Sequence, residues 1–407
     1  MIMFSSFQEY LKRIDTFLYD SSWSAAEKIA QLISCRDGHV ECRTLWLEDA
    51  DSKIPNRYVI EWGPMDDIVV LHAKVLYLIH EDRFEDAYFT QAAMLQIFNR
   101  EILQKEKDTN WFMPILYTLC SDLRLLAKTA DSKPSKHRKS EAPSFYEEAA
   151  NPIMESYRIC VAESRVNPDT TKKIGILNLT NHLFRIYFKI NRLHLLKPLI
   201  RSIDHIGELY ERFSMADKIT YKYFLGRKAM FDSDLGLAER SLTYAFVNCP
   251  KTCRQNKRLI LMYLIPVKMF LGHMPTQELL KKYELEQFSD VVSSVKVGNL
   301  KKLDEALEEH RNFFIECGIY LMLEKLKIIT YRTLFKKVAS ILGTLQIKLD
   351  VFIVALRWLG DDMDVAELSC ILANLIAQKK IKGYISWHHQ TLVIGKVSPF
   401  PPLSTLS

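Results

Sequence analysis

"LGRKAMFDSDLGLAERSLTYAFVNCP", Leu225 to Pro250, contains no catalytic motif, yet its small residues and its proline are spaced as if by rule. Counting from Gly226, Ala238 follows after 12 positions, Leu242 after 16, Ala245 after 19 and Pro250 after 24. Small side chains at Gly226, Ala238 and Ala245 let two antiparallel helices approach closely, and Pro250 stops the second because it cannot extend a helix. "MFDSDLGL" reads as the turn between them.

This is the tetratricopeptide spacing, and a unit of that kind cannot bury its apolar face alone. It predicts further helical pairs on both sides. The composition agrees: 407 residues, 48% hydrophobic and 26% charged, with only 13 Gly and 14 Pro, describe long elements and few loops. Such a chain is too apolar to stay disordered.

Upstream, Phe7, Leu11, Ile14, Phe17 and Leu18, and then Val69, Ala73, Leu76 and Ile79, recur at helical spacing. The pattern lapses at "DSKPSKHRKSEAP", Asp131 to Pro143, which reads as a solvated basic loop with an import signal as the alternative. Downstream of Ile329 the character changes. "TYRTLFKKVASILG" reads as a short helix and "LDVFIVALRWLG" as a second. "DVAELSCILANLIAQKK" is a third, opened by Asp364 and Glu367 at capping-box spacing. "IKGYIS" and "QTLVIGK" then form a β-hairpin around "WHH". Three helices and a hairpin make a winged helix, in which Tyr384 and Ile385 read as strand core. The tail "SPFPPLSTLS" reads as extended.

The expected fold is therefore all-α, an α-solenoid of tetratricopeptide-like helical hairpins ending in a C-terminal winged helix with a small β-hairpin. Its parts are N-terminal repeats over 1–210, repeats over 211–326, the winged helix over 327–396 and a tail over 397–407.

Catalysis finds no support in the residues, since no phosphate-cradling loop, nucleophile elbow or dinucleotide fingerprint occurs. No metal or other cofactor is expected: "CPKTC" has one cysteine pair without nearby histidines, and His388 and His389, read as strand neighbours, would point to opposite sides. The eight cysteines read as buried thiols. No apolar run approaches a membrane span, so a soluble intracellular protein is expected.

The formal charge of +6 is modest, but its distribution is uneven. Thr170 to Ile203 holds seven bases and no acid, and Leu321 to Phe400 holds 11 bases against six acids. Candidate phosphate contacts on the winged helix are Lys336, Lys337, Lys379, Lys380 and Lys382, with Trp387, His388 and His389 at the wing tip. Lys379 and Lys380 also complement a helix dipole, and Trp387 suits either a base or a partner's helix. Lysines of this kind position a strand without reading its sequence. Candidates for meeting an acidic partner are Lys172, Lys173, Arg185, Lys189 and Arg192, together with Arg254, Lys257 and Arg258 at a helix entrance.

A helical array running into a winged helix resembles the PCI domain, the module shared by the proteasome lid, the COP9 signalosome and translation initiation factor three. The likeness is closest to the branch serving the nuclear transcription-and-export (second TREX) complex. It is carried by "LHLLKPLIRSID", "TYKYFLGRKAMFDSD", "YLIPVKMFLGHMPT", "EKLKIITYRTLFKKV", "CILANLIAQKKIKGYIS" and "SPFPPLS", and covers the chain from about Lys172 onward. The resemblance implies a non-enzymatic subunit of a hetero-oligomer at the nuclear pore that supports messenger RNA export, some of it cytoplasmic. Its implied partners are a scaffold of the Sac-three or germinal-centre-associated nuclear protein type, the small acidic protein DSS-one, and single- or double-stranded nucleic acid bound without sequence preference. The alternative is a structural PCI subunit of a lid-, signalosome- or initiation-factor-type assembly that binds no nucleic acid.

Overall fold

The computed structural model describes residues 4–48, 58–133, 143–164, 167 and 169–405, so most of the basic loop lies outside the described residues. The fold is of the expected class: helical hairpins of the solenoid type ending in a winged helix. The chain divides into two compact units, 1–221 and 222–407, the division falling inside the helix Met215–Phe231.

In the first unit the helix Phe7–Asp20 pairs with Trp23–Leu32, and Gly63–His80 with Phe84–Ile97, which also packs on Met113–Ser132. Ala150–Ala162 pairs with Ile176–Lys189. Tyr10, Leu11 and Ile14 are fully buried, as are Val69 and Ala73, so the helical spacing marked the core-facing stripe.

In the second unit the opening stretch behaves as its spacing requires. Helices end at Phe231 and begin again at Leu235, and the second of them closes at Asn248, two residues before Pro250. Ala238, Leu242 and Ala245 are fully buried. A Cβ on Gly226 would lie 2.6 Å from Leu242 Cγ, so only glycine permits this helix separation. The next helix, Arg254–Phe270, runs through Pro266 rather than ending there.

The winged helix consists of Lys327–Leu342, Leu349–Trp358 and Val365–Ala377 with three strands, β1 (Gln346–Lys348), β2 (Gly383–Ser386) and β3 (Thr391–Ile394). The first helix is longer than the short one expected. The sheet is antiparallel in the order β1-β3-β2, so the expected hairpin gains a third strand, with Ile347 opposite Leu392 and Ile385 opposite Leu392 on the other side. Phe335, Phe352, Leu356, Leu368, Leu372, Leu375 and Leu392 form the core. Gly298 seats this domain on the preceding hairpin: its φ is +75°, and a Cβ there would lie 2.6 Å from the Leu334 amide nitrogen.

Asp364 caps the third helix, its Oδ1 accepting from the Glu367 amide at 2.7 Å. Asp364→Ala removes that acceptor and is expected to cost about 1 kcal/mol. Urea melts should read this as a lower midpoint with an unchanged slope.

The tail corrects an expectation, for it is not a free extended segment. Phe400 belongs to the winged-helix core, the Lys382 amide donates to the Pro399 carbonyl at 2.8 Å, and Leu403–Thr405 forms a short helical turn. The buried Arg332 explains the attachment, its guanidinium donating to the Pro401 and Lys380 carbonyls.

Candidate nucleic-acid and partner interfaces

The lysines of the winged helix separate by environment. Lys336, Lys337, Lys379 and Lys382 are exposed. Lys380 is half-buried, its ammonium donating to the Gln378 side chain at 2.8 Å. Burial, and then the neighbouring Arg332, hold its pKa below the usual lysine range. Lys380 therefore belongs more to the junction than to the surface. Arg332 ties the first helix to the Lys380 carbonyl at 2.9 Å, and Lys336 stands one turn further along the same face. This places Lys336 on the flank of the first helix nearest the Lys379–Lys382 corner. Lys379 has φ +58°, the left-handed conformation that turns the chain sharply out of the third helix.

The wing carries uncovered aromatic surface. Trp387 is 62% exposed, and so is Tyr384, which corrects its reading as strand core. Ile385 does pack against the core, because alternate residues of a strand face opposite sides. His388 and His389 do not diverge, for they lie in the turn between β2 and β3 with rings 5.0 Å apart and 2° from parallel.

The candidates for an acidic partner fare unevenly. Lys172 is buried, donating to the Leu103 and Glu106 carbonyls at 2.5 and 2.6 Å, and Lys257 is buried with its ammonium on the Phe246 carbonyl at 2.7 Å. Both hold their own units together and present no charge outward, a correction to their reading as partner contacts. Arg192 pairs with Glu147 at 2.6 Å and Arg254 with Glu284 at 2.8 Å, while Arg258 donates to the Glu284 carbonyl at 3.2 Å. Lys173 and Arg185 are half-buried and Lys189 is exposed. The sequence stripe is thus not one continuous positive face.

A stronger candidate for a partner surface is a groove in the second unit that no sequence pattern announced. It encloses about 1100 Å³ and is floored by Phe231, Phe270, Ile315, Leu321, Ile328 and Tyr331. Arg311, Lys325, Lys327 and Lys380 also line it, and its lining holds no carboxylate among the described residues. Leu321 is 71% exposed and Ile315 52%, so part of the apolar lining faces water. Part of the charge is offset nearby, since Arg311 pairs with Glu308 and Lys327 with Asp304. An apolar floor under a cationic rim suits an acidic segment bearing large apolar anchors.

Among the described residues, no group of three or more His, Cys, Asp or Glu is placed to hold a metal ion, and no helix is long and apolar enough to cross a membrane.

The PCI domain family pattern matches residues 307–396. The chain is 54% identical to the PCI domain-containing protein 2 homolog of Caenorhabditis elegans, over 99% of this chain and 98% of the relative. It is 46% identical to the PCI domain-containing protein 2 of Danio rerio, over 98% of each. A protein named CSN12 homolog from Schizosaccharomyces pombe is 29% identical over 82% of each chain.

Proposed function

The chain belongs to the family of PCI domain-containing protein 2, and on that footing we propose that it is a non-enzymatic scaffold and nucleic-acid-binding subunit of the nuclear-pore-associated transcription-and-export complex. In this reading its winged helix stands beside that of a Sac-three or germinal-centre-associated type scaffold, and the pair forms a joint surface supporting messenger RNA export. The observation that carries it is the combination on one small domain of exposed lysines, Lys336, Lys337, Lys379 and Lys382, with the uncovered rings of Tyr384 and Trp387. Lysines neutralise phosphates and aromatic faces stack on bases, which together bind single strands without reading sequence. The small acidic protein DSS-one is assigned to the apolar groove with the cationic rim, since a disordered acidic chain needs apolar anchors as well as charge.

The test is co-expression with the scaffold's PCI-like region and the small acidic protein, followed by titration with labelled single-stranded RNA at several salt concentrations. Reversing Lys336, Lys337, Lys379 and Lys382 to Glu in the assembled complex should weaken binding and flatten its logarithmic salt dependence by up to about 3 units, roughly 0.7 for each phosphate no longer neutralised. An intact complex whose RNA affinity and salt slope are unmoved would remove the nucleic-acid role and leave a structural subunit. A chain that joins neither partner would remove the assembly itself.

A further inference from the structure

The first unit contains a second cleft whose chemistry is the opposite of the groove's. We propose that the cleft between the helix Phe7–Asp20 and the segments around Trp62 and Trp111 binds the cationic side chain of a basic peptide. It encloses about 800 Å³. Trp62 and Trp111 form part of its wall with ring centroids 5.7 Å apart and planes tilted by 37°, and Tyr58 and Tyr19 also line it. Trp62, Trp111 and Tyr58 are only half-buried and Tyr19 is 93% exposed, so much aromatic surface faces water instead of the core.

Asp15, Glu61 and Glu106 line the same cleft, and Lys12 is the one cation among its described lining residues. Aromatic faces and carboxylates in one concavity attract the same species, a cation whose charge meets the carboxylate while its body lies on a ring. The chain supplies an internal example: the Lys12 ammonium stands 5.8 Å from the Tyr58 ring centroid. It is exposed and tethered, and so acts as a weak competitor that a peptide side chain can displace.

The walls are held before any ligand arrives. Trp62 occupies the N-cap position of the helix Gly63–His80, Trp111 is braced edge-on against the buried Phe112, and the Tyr58 hydroxyl donates to Asp15 and fixes its carboxylate. A rigid aromatic wall with an oriented carboxylate spares the ligand the cost of ordering the site. The inference does not depend on the nucleic-acid reading, because a site lined by three carboxylates repels phosphate.

The experiment uses the full chain and three acetylated glycine–serine nonapeptides carrying three arginines, three lysines or three citrullines, followed by tryptophan fluorescence at low and moderate salt. The arginine and lysine peptides should bind and weaken with salt, and the citrulline peptide, of the same shape without charge, should not bind. Whichever of the two cations binds more tightly identifies the source as a guanidinium or an ammonium. Tyr19→Ala, at a position too exposed to matter for folding, should weaken binding about two- to fivefold. Glu61→Gln should also weaken it, while Lys12→Ala should strengthen it by removing the internal competitor. Equal binding of the citrulline peptide, no binding of either cationic peptide, or insensitivity to both Tyr19→Ala and Lys12→Ala would overturn the proposal.

Discussion

Gly226→Ala should destabilise the second unit, although alanine is the better helix former by about 1 kcal/mol. At an open helical position that preference would make the substitution stabilising. Here the new Cβ would lie 2.6 Å from Leu242 Cγ, 3.0 Å from its Cδ2 and 3.2 Å from its backbone nitrogen. Leu242 is fully buried, so its side chain has nowhere to retreat. Overpacking of this kind costs about 1–3 kcal/mol net, and valine at the same position should cost more. Gly236→Ala in the neighbouring helix is the control, because a Cβ there meets nothing nearer than 3.4 Å.

A double-mutant cycle separates the contact from any general weakening. Leu242→Ala alone should cost about 3 kcal/mol by leaving a cavity. Combined with Gly226→Ala, the total should fall short of the sum by about 1 kcal/mol or more, because each change makes room for the other. Urea unfolding gives all four corners of the cycle. A Gly226→Ala protein as stable as the parent would mean that the two helices do not pack as closely as the spacing demands.

That packing was legible because it is local: two helices and a turn fit within one stretch, and each small residue sits at a fixed offset from the next. The capping Asp364 was legible for the same reason. What escaped depends on partners distant in sequence. Strand β1 is three residues long with only Ile347 buried, and it becomes a strand through pairing with β3, more than 40 residues away. The tail reads as extended because it is rich in Pro and Ser, and it is held by Arg332, which lies 69 residues before Pro401. Burial of individual cations was equally hidden. Lys172 and Lys173 are neighbours of the same type, yet one turns inward to two carbonyls and the other does not. The groove draws its lining from segments between Met230 and Lys380, so no single window of sequence could display it.

The largest effect is expected from acid. His39, His72 and His182, all in the first unit, are buried. His39 and His72 face each other with Nε2 atoms 3.2 Å apart, an arrangement that works only while one ring donates and the other accepts. His72 Nδ1 is buried without a hydrogen-bond partner. His182 Nδ1 accepts from Arg124 at 3.4 Å, and Arg185 adds a second positive charge nearby. Burial depresses the pKa of all three, with like charge reinforcing it at His182 and the partner imidazole at His72, while Asp37 partly opposes it at His39.

Because each folded value lies below the ordinary 6.5, the unfolded chain binds more protons once the pH falls below that value. Stability is then complete well above pH 6.5 and declines below it, with a limiting slope of roughly 1.4 kcal/mol per pH unit for a full proton of difference. The loss at each site accumulates until its own folded pKa is reached, and is least at His39, where Asp37 opposes the depression. The loss should appear first as faster amide exchange in the helices Phe7–Asp20 and Gly63–His80, against which the imidazole pair packs, and in Ile176–Lys189, which carries His182. His72→Gln, which cannot gain a proton, should shallow the pH dependence by about one proton. Melting that is equally stable at pH 7 and pH 5, or a His72→Gln protein with an unchanged slope, would mean that these rings find a way to hold their charge inside the fold.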